Sequence, residues 1–162
     1  MSPELERALA DHKIIRLDMG AGKWKQEGFF AMDKRAVENV DLVHDLEVFP
    51  YPLPDECCHL MLASHVVEHL KPWLMIDIMN EWWRLLIPGG KLMLAMPYPT
   101  SDGFYQDPTH IKAWSERTPY YFDPESPLYQ IYEPKPWKIE RGFPQWVGHG
   151  NIEIVMVKRE LS

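Results

Sequence analysis

The chain has 162 residues, 46% of them apolar and 25% charged, and a formal net charge of −7. Length and apolar content suit one domain spanning 1–162, and they exclude wholesale disorder. No uncharged apolar run is long enough to span a bilayer, and 24 acidic against 17 basic residues argue against general affinity for nucleic-acid phosphates.

Acids within Met1–Arg7 leave no apolar core for a signal peptide, and the neighbouring Cys57 and Cys58 are poorly placed for a structural bridge. Both features predict a cytoplasmic protein. Residues 1–12 read as an extension or helix. Residues 13–20 predict a first strand ending in a glycine turn, and Gly28–Met32 a second that ends at Asp33. Val40–Val43 predicts a third strand running into His44-Asp45-Leu46. Leu60–Ser64 is unbroken and apolar, as a parallel strand covered on both faces would be.

Trp73, Ile76, Met79, Trp83 and Leu86 recur at steps of three and four, which predicts the inward face of a helix over 72–87. Pro72 suits its first turn, and Pro88-Gly89-Gly90 stops it. Lys91–Met96 predicts a fifth strand, closing a core of residues 13–97. Nine of the 15 prolines lie between Pro97 and Pro144, so the segment 98–136 cannot be long helix or central strand. Tyr120, Tyr121 and Phe122 are expected to cover the sheet. Gly148-His149-Gly150 predicts a turn, and Asn151–Lys158 a final strand within the C-terminal segment 137–162. Strands joined through a crossover helix imply an α/β architecture with a mainly parallel sheet.

Ligands of such sheets bind beyond the carboxyl ends of the strands, where Asp18-Met19-Gly20-Ala21-Gly22 stands. A dinucleotide would need a third glycine and a helix N-terminus for its pyrophosphate. Only ten residues separate Gly22 from Asp33, so the helix after the first strand is shortened or missing. S-adenosylmethionine carries no pyrophosphate and can dispense with that helix. It does require a carboxylate for its ribose, and Asp33 is placed to supply one.

Five features in order resemble the class I S-adenosylmethionine-dependent methyltransferases: the Asp18–Gly22 loop, Asp33, His44-Asp45-Leu46 with the phrase Pro50–Asp55, Ser64–Leu70, and Glu81–Leu92 with its Pro-Gly-Gly turn. The resemblance covers about residues 13–97 and, more loosely, the last strand. It implies a Rossmann-like three-layer sandwich with the final strand antiparallel. It also implies S-adenosylmethionine as cofactor, S-adenosylhomocysteine as product, and a methyl acceptor with an oxygen or nitrogen nucleophile. By the same resemblance Gly20 and Gly22 admit the methionine part, Ala21 and Ser64 belong to the cofactor-binding set, and Asp18 orients the loop or meets the ammonium. Asp33 binds the ribose, and Asp45 with Leu46 holds the adenine. Losing Asp33 should then weaken binding about 10–100-fold. One departure is Cys58-His59 in place of the Phe-Asp pair common before the fourth strand.

Three histidines carry the remaining chemistry. His110, oriented by Asp107 in the Asp107-Pro108-Thr109-His110 phrase, is the first candidate for a general base, and His65 is the second. Tyr98, Tyr105 and Trp114 are candidate pocket residues. The spacing His65-x-x-Glu68-His69 also fits an inverzincin-type zinc peptidase if it lies on a helix. Glu68 and His69 resemble part of the cation set of some quinone-pathway O-methyltransferases, with His65 where an acid is expected. The simpler reading is that Glu68 and His69 cap a strand-to-helix turn and hold no metal. A small molecule is the expected partner and a homodimer is open. A non-catalytic module of the same fold is the alternative.

Overall fold

A computed structural model describes residues 1–147 and 150–160, and the predicted turn at Gly148-His149 lies outside the described residues. Five strands run parallel: β1 (Ile15–Met19), β2 (Phe30–Asp33), β3 (Leu42–Val43), β4 (Cys58–Ser64) and β5 (Leu86–Pro97). They are followed by β6 (Trp137–Ile139), β7 (Gln145–Val147) and β8 (Asn151–Lys158). The sheet order is β3-β2-β1-β4-β5-β8-β6, with β7 pairing β8. The last strand, β8, lies antiparallel to β5, as expected for the Rossmann-like α/β fold. Strand order reverses between β1 and β4, so the loops leaving their carboxyl ends diverge and leave a crevice there.

Apolar runs explain the strands. Leu17, Met19, Met32, Met61, Leu92, Leu94, Ile152 and Ile154 are all buried. A first helix, α1 (Pro3–Ala10), is capped by Ser2, whose hydroxyl accepts from the Leu5 amide and donates to Asp41 Oδ1. No helix joins β1 to β2: residues 20–29 are turns and loop. The curtailment predicted from the ten-residue spacing is therefore complete. Among the described residues no helix is long and apolar enough to cross a membrane.

Two expectations about packing are corrected. The segment after Pro72 is not one helix with Trp73, Trp83 and Leu86 facing inward. It begins as a 3-10 turn, Pro72–Leu74, and continues as α2 (Met75–Leu85), after which Leu86 already belongs to β5. A 3-10 turn winds tighter than an α-helix, which rotates the inward face of everything after it. Met75, Ile78, Met79, Trp82 and Leu85 are buried, and Trp73 is 74% exposed. The Pro88-Gly89-Gly90 turn sits inside β5: Cys58 pairs with Leu86 and Leu60 with Lys91, so residues 87–90 bulge out. In the proline-rich segment Phe122 is buried and stacks on buried Trp114, while Tyr120 is exposed rather than covering the sheet. That segment holds only a four-residue helix, α3 (Asp102–Tyr105), and short 3-10 turns, as its prolines require.

Candidate functional site

The carboxyl ends of β1, β2 and β4 open onto two hollows of about 650 and 570 Å³, both lined by Gly20, Arg35 and His65. The first is walled by Asp33, Asp45, Leu46, His69 and Thr109, and the second by Asp18, Ala21, Gly22 and Ser64. All eight residues expected to border a cofactor thus meet in one crevice, at the point where strand order reverses.

The glycine loop is tied down by backbone. Gly20 and Ala21 both donate to the Met32 carbonyl, at 2.7 and 3.3 Å. Gly20 has φ 69°, and a Cβ there would stand 2.5 Å from Val66 Cγ2. Gly20→Ala should therefore cost about 1–2 kcal/mol for the left-handed backbone alone. It also forces Val66 aside, and a lowered urea midpoint at unchanged slope would register the loss. Asp18, buried beneath the loop, accepts the Gln26 amide at 3.1 Å. Burial pushes its carboxyl above the ordinary carboxylate value, against that hydrogen bond.

Asp33 does the work of the missing helix. Its Oδ2 accepts the Gly22 amide at 2.8 Å, and its Oδ1 accepts the backbone and Nε of Arg35 at 2.9 and 3.1 Å. Burial would raise its pKa, but Arg35 and the two amides outweigh burial and hold it below the usual value. Sequence reasoning missed Arg35, which reads as a surface cation beside Lys34. Its one local signal is the two-residue step from Asp33, which lets the aspartate accept the Arg35 amide in an Asx turn.

The second wall is built from α2. Trp82 Nε1 donates to the Tyr51 hydroxyl at 3.2 Å, and that hydroxyl donates to the Leu46 carbonyl at 2.7 Å. The Tyr51 amide donates to Glu81 Oε1 at 2.6 Å. Asp45 accepts the Glu47 amide, which turns the chain so that Asp45 and Leu46 face the first hollow.

Beyond β4 the chain turns at His65, a non-glycine residue with φ 54°, a conformation tolerated where surrounding structure enforces it. Val67–His69 is a single 3-10 turn. His65 and His69 therefore do not share a helical face, and the peptidase spacing has no helix to sit on. His65 Nδ1 stands 3.3 Å from Glu68 Oε1, with its own side chain half exposed to the crevice. Contact with Glu68 raises the imidazole pKa above its ordinary value, against the opposing effect of burial.

The Asp107–His110 phrase folds back onto this turn, because the Glu68 carbonyl accepts the Ile111 amide at 2.7 Å. Pro108, Thr109 and Ile111 line the first hollow. His110 points inward with a side chain 7% exposed, its Nδ1 2.8 Å from the Phe104 carbonyl. Asp107 lies 3.8 Å from His110 Nε2, too far for a hydrogen bond, and instead accepts the Thr109 hydroxyl at 2.7 Å. The three aromatic candidates do not border either hollow. Trp114 is in the core, Tyr105 is 74% exposed, and Tyr98 packs on Trp146 and donates to Glu116.

A family model described as a methyltransferase domain matches residues 8–94. Among solved structures the chain is similar to a SAM-dependent methyltransferase from Archaeoglobus fulgidus: 21% identity over 96% of this chain and 91% of that one, TM-score 0.63. It is similar to another from Aquifex aeolicus, with 16% identity over 94% and 88%, TM-score 0.57. A third, from Mesorhizobium loti, shows 12% identity over 94% and 96%, TM-score 0.58. At these identities the likeness establishes the fold. A search of curated proteins found no match.

Proposed function

We propose, from the premise that this chain belongs to the S-adenosylmethionine-dependent methyltransferase family, that it methylates an oxygen or nitrogen nucleophile of a small acceptor. The observation that carries this reading is the placement of His65, which borders both hollows and stands between the glycine loop and the acceptor-side wall of Thr109 and Ile111. S-adenosylmethionine supplies a sulfonium methyl that departs by in-line displacement, so the protein's task is positioning, water exclusion and removal of a proton.

The residues present fit this cofactor. The bare backbone of Gly20 and Gly22 admits its methionine part beside Ser64, and Leu46 with Asp45 takes the adenine. Asp33, whose carboxylate holds the Gly22 amide and Arg35, would take the ribose hydroxyls. His65, braced by Glu68, accepts the acceptor's proton. His110, enclosed behind the wall, serves His65 and Glu68 by packing rather than by touching the acceptor. The free, buried Cys57 and Cys58 suit a reducing compartment such as the cytoplasm.

Calorimetric titration with S-adenosylhomocysteine tests the cofactor assignment. Wild type should bind, and Asp33→Ala should bind about tenfold more weakly. That is the lower end of what a charged acceptor commands, because Arg35 already satisfies Oδ1 in the free protein. Equal affinities for the two proteins would remove Asp33 from the ribose.

A further inference from the structure

The missing crossover helix between β1 and β2 leaves a charge unanswered. The N-terminus of such a helix brings positive charge to the carboxyl end of the first strand, where anionic groups of a ligand bind. Residues 20–29 are turns and loop, so no helix end stands there. S-adenosylmethionine has no pyrophosphate, but its amino-acid end is a zwitterion and carries a carboxylate. On the reading that seats this end beside Gly20, Gly22 and Ser64, it enters the second hollow, and a side chain must supply the cation.

Two permanent cations line that hollow, Lys23 and Arg35. Arg35 is committed, since its Nε donates to Asp33 Oδ1 at 3.1 Å. Lys23 is exposed and pairs with no carboxylate among the described residues; its Nζ stands instead 5.1 Å from the centre of the Trp24 ring. Trp24 lines the same hollow and is 78% exposed, a large apolar surface to leave in water on a turn. The backbone on either side of this pair is fixed. Before it, the Gly22 amide donates to Asp33 Oδ2 at 2.8 Å, and the Trp24 amide donates to the Ala21 carbonyl at 3.0 Å, closing a turn that Gly22 shapes with φ 55°. After it, Lys25 Nζ donates to Asp41 Oδ2 at 3.0 Å and the Gln26 amide to Asp18 Oδ2 at 3.1 Å. The anchored turn thus delivers Lys23 and Trp24 to the rim.

We propose that Lys23 is the counter-ion for the carboxylate at the amino-acid end of the methyl donor, and that Trp24 positions the Lys23 ammonium at the rim of the second hollow. The pairing rests on the cofactor reading above and deepens it. Asp18 and Glu38 line the same hollow, so it offers both signs of charge to a zwitterion. The ring face of Trp24 attracts the ammonium by its quadrupole and limits where the flexible lysine stem can carry it. Charge that a helix end would spread over several amides is concentrated here in one side chain, so a single substitution removes it. S-adenosylhomocysteine keeps the amino-acid end and is held by the same contact.

The test is calorimetric titration of the full chain with two probes: S-adenosylhomocysteine, and 5′-methylthioadenosine, which keeps the adenosine and the sulfur but lacks the amino-acid end. Lys23→Met should weaken S-adenosylhomocysteine about fivefold, the upper end for a solvent-screened pair, and leave 5′-methylthioadenosine unchanged. The loss should shrink as ionic strength rises from about 0.05 to about 0.5 M. Lys23→Arg should keep most of the wild-type affinity. Trp24→Ala should show a smaller loss confined to the same probe, and Trp24→Phe should restore it by keeping an aromatic face for the ammonium. Equal affinities of wild type and Lys23→Met for S-adenosylhomocysteine would overturn the pairing, while binding by the wild type leaves the cofactor reading standing. An equal loss on both probes would also overturn it, because the effect would then belong to the shape of the loop and not to the carboxylate. Wild type that binds neither probe would overturn the cofactor reading, and the pairing with it.

Discussion

His65→Ala should slow methyl transfer about 100-fold, the low end of what a positioned general base contributes. The loss should fall on turnover, because His65 borders the cofactor hollows without holding any of the groups assigned to ribose or adenine. The assay is release of S-adenosylhomocysteine in the presence of a panel of hydroxyl- and amine-bearing acceptors, with calorimetry run on the same variant. Free imidazole should restore part of the rate to His65→Ala, since the vacated space opens to the crevice and a small base can enter it. A merely structural histidine would give neither the turnover loss nor the rescue. His110→Ala is the informative comparison. Its side chain is 7% exposed, so imidazole should not rescue it. Rescue of His110→Ala but not His65→Ala would exchange the two roles.

The strand-end residues of the crevice were more legible in the sequence than the Asp107–His110 wall, and the reason is distance along the chain. Gly20, Asp33 and Leu46 each sit at the end of a short apolar run, and in a parallel sheet such ends converge on one edge without further information. The absent helix between β1 and β2 was legible by counting, since ten residues cannot hold a crossover helix and a strand. The phase of α2 was not legible. Trp82 and Trp83 are adjacent and equally apolar, and which one enters the core depends on the 3-10 turn at Pro72–Leu74. Trp82 turns in, where Tyr51 takes its indole hydrogen. Trp83 stays partly exposed and donates to the Pro136 carbonyl, with Lys158 Nζ 3.9 Å above its ring. Past β4, the meeting of Glu68 with His110 depends on the Glu68 carbonyl accepting the Ile111 and Lys112 amides. No local pattern announces that contact, which sets the His110 ring against the Phe104 carbonyl with its side chain 7% exposed.

The Asp45–Leu46 wall has its own dependence, and it yields the second large effect. Arg84 donates to both Glu81 oxygens, at 2.9 and 2.6 Å, and to the carbonyls of Leu53 and Tyr51 at 2.9 and 3.3 Å. Glu81 in turn holds the Tyr51 amide. One guanidinium from α2 thus clamps the loop whose Tyr51 hydroxyl fixes Leu46. Arg84→Ala would leave the Glu81 carboxylate, about 10% exposed, facing two acceptor carbonyls with no cation between them. Breaking a buried pair from one side costs about 3–5 kcal/mol, and partial exposure of Arg84 places this case near about 3. Urea denaturation should show a loss of that size, and affinity for S-adenosylhomocysteine should fall with it because Leu46 loses its brace. Acid titration separates this clamp from simple loss of packing. Burial pulls the Glu81 pKa up, but Arg84 and the Tyr51 amide outweigh it and leave the folded value below the ordinary one. A carboxyl depressed by folding contributes stability that is complete above its unfolded pKa and is lost as pH falls through the folded value. Wild type should therefore lose part of its margin over Arg84→Ala as pH drops below the ordinary carboxylate range. A margin that stayed constant down to that pH would assign the effect to packing of the arginine stem, and Glu81 would no longer be the reason the wall stands.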